Sequence, residues 1–122
     1  MILVDTSVWI DHLRFGNQAL VRLLDGGQVM GHPFIIGELA LGNLRQRDKV
    51  LGAMRELPQV HVAADSEVLH FIRQWTLFGR GIGYIDVHLL ASLRLTPGTR
   101  LWTRDQRLRA IADQLGHAWE TQ

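Results

Sequence analysis

The chain has 122 residues, 47% of them hydrophobic and 20% charged, with no cysteine and a formal net charge of +1. That length suits one domain over residues 1–122, and this apolar content belongs to a folded chain, not a disordered one. The lack of cysteine excludes disulfides, thiolate metal sites and cysteine nucleophiles, while thirteen basic against twelve acidic residues exclude nucleic-acid binding by bulk charge.

The first four residues, Met-Ile-Leu-Val, form a continuous apolar run ending at Asp5, the pattern of a central parallel strand covered on both faces. No basic leader precedes Asp5, and no apolar run approaches the ~18 residues of a membrane span, so a soluble cytoplasmic protein with no membrane partner is expected. Thr6 and Ser7 offer caps for a short helix to about Leu13. Asn17 begins a second helical pattern that stops at Gly26 and Gly27. Residues 28–31 read as a second short strand, and Pro33 as the first turn of a helix carrying Ile35, Ile36, Leu39, Leu41 and Leu44. A helix over residues 48–57 is closed by Pro58, and residues 60–62 suggest a third strand. Asp65, Ser66 and Glu67 open a helix with Val68, Leu69, Ile72 and Trp75 on its apolar positions. Residues 79–83 carry three glycines without the lysine-serine/threonine ending of a phosphate loop, and read as a flexible break. Residues 85–95 form the next helix, 100–103 a fourth strand, 105–115 a helix ended by Gly116, and 117–120 a last strand. This alternation points to an α/β domain with a parallel sheet.

Four acids stand in surroundings that a solvated face does not explain. Asp5 closes the first strand, where open parallel sheets place their ligand crevice, although a turn or helix cap is equally served there. Glu38 and Asp86 lie within the apolar stretches Phe34-Ile35-Ile36-Gly37-Glu38-Leu39 and Tyr84-Ile85-Asp86-Val87, where a carboxylate is costly unless paired or metal-bound. Asp105 follows the fourth strand and also suits the first turn of a helix. The two strand ends and two helix starts can converge at one sheet edge. Carboxylates gathered there repel one another unless a cation is present, and oxygen ligands without thiolate select Mg²⁺ or Mn²⁺. A carboxylate-held divalent ion is equipment for phosphodiester hydrolysis.

The segments LVDTSVWIDHLR, HPFIIGELALG, GRGIGYIDVHLLAS and LWTRDQRL, in this order, resemble the PIN-domain ribonucleases, in particular the VapC toxins of type II toxin–antitoxin pairs. The resemblance spans nearly the whole chain. It implies a PIN-like three-layer α/β/α sandwich with a central parallel sheet of about five strands. It also implies that Asp5, Glu38, Asp86 and Asp105 are the catalytic, metal-holding set for Mg²⁺ or Mn²⁺, with Thr6 and Thr103 as auxiliary polar residues. The implied activity is endonucleolytic cleavage of RNA (transfer or ribosomal) that stops translation. The implied partners are a VapB-like antitoxin and a second copy of the chain, in a homodimer and a higher toxin–antitoxin assembly.

Twelve of the thirteen basic residues are arginine, with Lys49 the one lysine. Arg80, Arg104 and Arg14 are the leading candidates for RNA contact, with Arg45, Arg47, Lys49, Arg107 and Arg109 behind them. His88, two residues after Asp86, should point away from it on a helix, and the four tryptophans read as core or interface residues. A housekeeping PIN nuclease of RNA maturation is the alternative function. A receiver-type Mg²⁺-binding signalling domain is disfavoured, because it needs a lysine beside the acidic pocket and Lys49 is far from one.

Overall fold

The computed structural model describes residues 1–120; residues 121–122, the end of the span expected as one domain, lie outside the described residues. The chain runs β1 (Ile2–Val4), α1 (Thr6–Phe15), α2 (Gln18–Asp25), β2 (Val29–Met30), α3 (Pro33–Ala40), α4 (Arg47–Glu56), α5 (Asp65–Gln74), α6 (Tyr84–Arg94), β3 (Arg100–Trp102) and α7 (Gln106–Gln114). β1 is central and parallel to both neighbours, with Ile2 opposite Val29 and Arg100, and Val4 opposite Trp102. Successive strand side chains point to opposite faces, yet Ile2, Leu3 and Val4 are all buried, so both faces of β1 are covered. That double burial is what the uninterrupted apolar run at the start of the chain encodes.

The expected sheet of about five strands is corrected to three among the described residues. The places of the other two are held by isolated bridges, Gly31 with Gln59 on one edge and Leu101 with Ala118 on the other. The reason is local. On the first edge Gly31 N–H donates to Pro58 O (2.8 Å) and Val60 N–H to Gly31 O (3.0 Å), but the ladder cannot grow either way, because Pro33, which opens α3, has no N–H to continue it and Pro58 has none to extend it backwards. On the second edge Leu101 exchanges bonds with His117 and Trp119, and the ladder stops behind that bridge because His117 N–H is spent on Ala112 O (2.7 Å) at the end of α7. Residues 60–62 and 117–120 therefore lie at strand positions without forming strands. The helix expected to reach Leu44 ends at Ala40, whose carbonyl accepts from Arg47 Nη1, and Leu41 beyond it is exposed.

α6 sits deepest. Every residue from Val87 to Leu93 is buried, as in a helix covered all round. Its neighbours include α5 and β3. α3 is pinned to it by His32, the residue that caps α3. His32 Nδ1 accepts from Phe34 N–H (3.0 Å) and Nε2 meets Ser92 Oγ of α6 (3.1 Å), so the ring proton is assigned to Nε2. Burial, then the neighbouring His88, pushes the pKa of His32 down from 6.5 to about 4.

Candidate active site

The parallel pairing of Val4 with Trp102 sets the residues that follow, Asp5 and Thr103, side by side at the carboxyl end of the sheet. Asp5 N–H donates to Trp102 O (2.9 Å), and Thr103 Oγ1 donates to Asp5 Oδ2 (2.7 Å). Asp5 is only 7% exposed and is itself the cap of α1, its Oδ1 accepting from Thr6 N–H (2.8 Å). The cap falls on Asp5, one residue before Thr6 and Ser7. Capping and site roles coincide in one carboxylate, because capping occupies Oδ1 with the backbone and leaves lone pairs free.

Two hydroxyls tie the other acids to this centre. Thr6 Oγ1 donates to Glu38 Oε1 (3.0 Å), which accounts for a half-buried glutamate on the apolar helix α3. Thr103 Oγ1 also accepts from Asp105 N–H (3.1 Å), while Asp105 caps α7 by accepting from the N–H groups of Arg107 (2.9 Å) and Leu108 (3.0 Å). Asp86 stands in the first turn of α6, half-buried, with Oδ2 accepting from Gly83 N–H (3.4 Å). Its carboxyl is held above the usual aspartate range, first by burial and then by the negative charge of Asp5, with Asp105 and Glu38 adding to it. The structure thus brings into one electrostatic neighbourhood four carboxylates from the ends of β1 and β3, the middle of α3 and the start of α6.

All the donors in this cluster are oxygens, and their mutual repulsion is the field a hard divalent cation would neutralise. The chemistry of these donors therefore suits a hard divalent cation. Among the described residues, no three carboxylate or imidazole side chains stand close enough to surround an ion as they are.

Among the described residues the arginine candidates form no ion pair with the four acids. Arg104 is paired through Nε with Asp11 Oδ2 (2.6 Å), and Arg80 Nη2 donates to Gln114 Oε1 (3.2 Å). Arg14 lines a separate hollow with Ile10, Leu13, Phe15 and Arg45 that contains none of the four acids. His88 turns away from Asp86, as its spacing requires, and bonds Asp65 Oδ1 (3.1 Å), to which Tyr84 Oη also donates (3.1 Å). Ser7 is a member of the cluster that sequence reading left as a cap only. Its Oγ donates to Asp5 Oδ2 (3.4 Å) and accepts from Arg104 N–H (3.2 Å), closing β3 onto α1. Its place two residues after Asp5 was the available signal.

Comparison with known proteins gives a consistent result. The PIN domain family pattern matches residues 2–114. The chain is 49% identical over 118 residues to "Ribonuclease VapC32" of Mycobacterium tuberculosis, in strain CDC 1551 / Oshkosh and in strain ATCC 25618 / H37Rv, covering 97% of this chain and 95% of each relative.

Proposed function

Because this chain belongs to the PIN-domain family, we propose that it is a metal-dependent endoribonuclease, the toxin of a type II toxin–antitoxin pair. In this reading Asp5, Glu38, Asp86 and Asp105 are the catalytic and metal-holding residues, and Thr6 and Thr103 orient them. The observation that carries the reading is the convergence of four carboxylates from separate segments, felt as a raised pKa at Asp86. The ribonuclease name of the relatives supports the substrate class.

Asp5, Asp86, Glu38 and Asp105 would hold Mg²⁺ or Mn²⁺. When bound, such an ion lowers the pKa of water and neutralises the charge that develops on the phosphodiester. The chain's own contribution is preorganisation. Thr103 fixes Asp5 through one lone pair while the α1 backbone fixes the other oxygen, so that carboxylate is aimed before substrate arrives. Thr6 does the same for Glu38. Asp86 rides on a helix whose following seven residues are buried, so its position is set by the core and not by the glycine-rich loop before it.

The proposal includes transfer or ribosomal RNA as substrate, translation as the process stopped, and the cytoplasm as the place. A VapB-like antitoxin and a homodimeric state complete it. Among the described residues no helix is long and apolar enough to cross a membrane. The test is incubation of the purified protein with total cellular RNA, with Mg²⁺ or Mn²⁺, with a chelator, and with Asp5→Asn as control. Asparagine still caps α1, so folding is preserved. Cleavage should require the ion and vanish in the variant; a protein that cleaves no cellular RNA in either ion overturns the reading.

A further inference from the structure

A cleft of about 480 Å³ opens beside the acid cluster, lined by Asn17, Trp102, Thr103, Arg104, Gln106 and Arg109. It lies within the size range of small-ligand sites. It shares Thr103 with the cluster, so its wall is one hydroxyl away from Asp5 (2.7 Å). Beside Ala19 and the Trp102 ring its lining is polar, and it contains no carboxylate. Asn17 spends its Oδ1 on Leu20 N–H (3.0 Å), which leaves its amide hydrogens available. Arg104 is braced in place by Asp11, and its guanidinium nitrogens other than Nε remain as donors. Among the described residues no carboxylate lies within 4.0 Å of the Arg109 guanidinium, and the Gln106 amide has no side-chain partner. A cleft of fixed donors with one uncommitted guanidinium suits a phosphate.

We propose that this cleft binds a phosphate of the RNA strand flanking the scissile bond, with Arg109 as its charged contact and Asn17 and Gln106 as neutral donors. The proposal rests on the ribonuclease reading and adds to it a direction. The strand leaves the acid cluster past Thr103, between the start of α2 and the exposed side of α7. The arrangement also resolves how a nearly neutral protein meets a polyanion. The contact is local, made by the Arg109 guanidinium, which has no ion-pair partner on the cleft side, although Asp113 and Glu120 share the adjoining hollow with it.

The experiment uses the full chain carrying Asp5→Asn, so that a fluorescein-labelled single-stranded oligoribonucleotide of about 12 nucleotides is bound and not consumed. Affinity is measured by anisotropy between about 50 and 200 mM KCl. Adding Arg109→Ala should weaken binding about tenfold, the size of one charge-assisted contact. The slope of log affinity on log salt should fall in magnitude by about 0.7, the value for one phosphate on a single strand. Arg109→Lys should restore most of both, and Arg55→Ala, at the end of α4, should change neither. In the protein with Asp5 intact, Arg109→Ala should raise KM and leave kcat unchanged. An unchanged affinity and slope in Arg109→Ala, or an equal loss in Arg55→Ala, overturns the subsite while RNA cleavage by the parent stands. If the parent neither binds nor cleaves RNA, the ribonuclease reading falls, and the subsite with it.

Discussion

Lowering the pH should destabilise this protein through one buried imidazole, His32. The ring is fully buried, caps α3 through Nδ1 and reaches Ser92 of α6 through Nε2. A proton on Nδ1 would remove the acceptor that holds Phe34 N–H and place a charge where burial and His88 oppose it. The unfolded chain takes up that proton near 6.5 and the folded chain only near about 4. Between these values the unfolded state binds more protons, so stability is fully present above 6.5, falls as pH falls, and stops falling below about 4. At about 1.4 kcal/mol per pH unit over about 2.5 units, the loss amounts to about 3 kcal/mol. The assay is urea unfolding of the parent and of His32→Asn at several pH values from about 7 to about 4. Asparagine can cap α3 but does not titrate. The variant should be the less stable of the two at neutral pH, and the gap should close by about 3 kcal/mol as the pH falls. Other titrating groups, His117 among them, act equally in both proteins and cancel. A gap that stays constant across the range refutes the argument that His32 is held neutral by the fold.

Other consequences follow from named contacts. Thr103→Val keeps the shape but removes the donor to Asp5 and the acceptor of Asp105 N–H. It should cost about 1–3 kcal/mol in urea unfolding and lower RNA cleavage by about 10- to 100-fold. Leu90→Ala, at a fully buried position of α6, should cost about 2–5 kcal/mol by the same measurement. Gly81 has φ +80°, and a Cβ there would lie 2.6 Å from Arg107 Nη1. Gly81→Ala should therefore lower thermal stability by about 1 kcal/mol, read as a drop in Tm of several degrees.

The sequence by itself determined the α/β class, the central strand and every helix. These are written in local patterns: an apolar run with no polar alternation, helical periodicity, and breaks at Gly26, Gly27, Pro58 and Gly116. It also marked the four acids, because a carboxylate among apolar neighbours stands out without any knowledge of its partners. What it did not carry was pairing. Residues 60–62 and 117–120 have strand-like composition, but each segment makes only one bridge, because Pro33 and Pro58 lack the N–H groups the first edge would need and His117 N–H is spent on Ala112 O at the second, which matters only once the register is known. The roles of the arginines were likewise undecided, since a charge on a helix face looks the same whether or not an acid from another element meets it. Only the tertiary structure paired Arg104 with Asp11, left Arg109 open beside Thr103, and gathered Asp5, Glu38, Asp86 and Asp105 into one field. Local propensity is a property of neighbours in the chain, whereas a cluster is a property of neighbours in space, and here the ends of β1 and β3, nearly a hundred residues apart, stand side by side with acids from α3 and α6 around them.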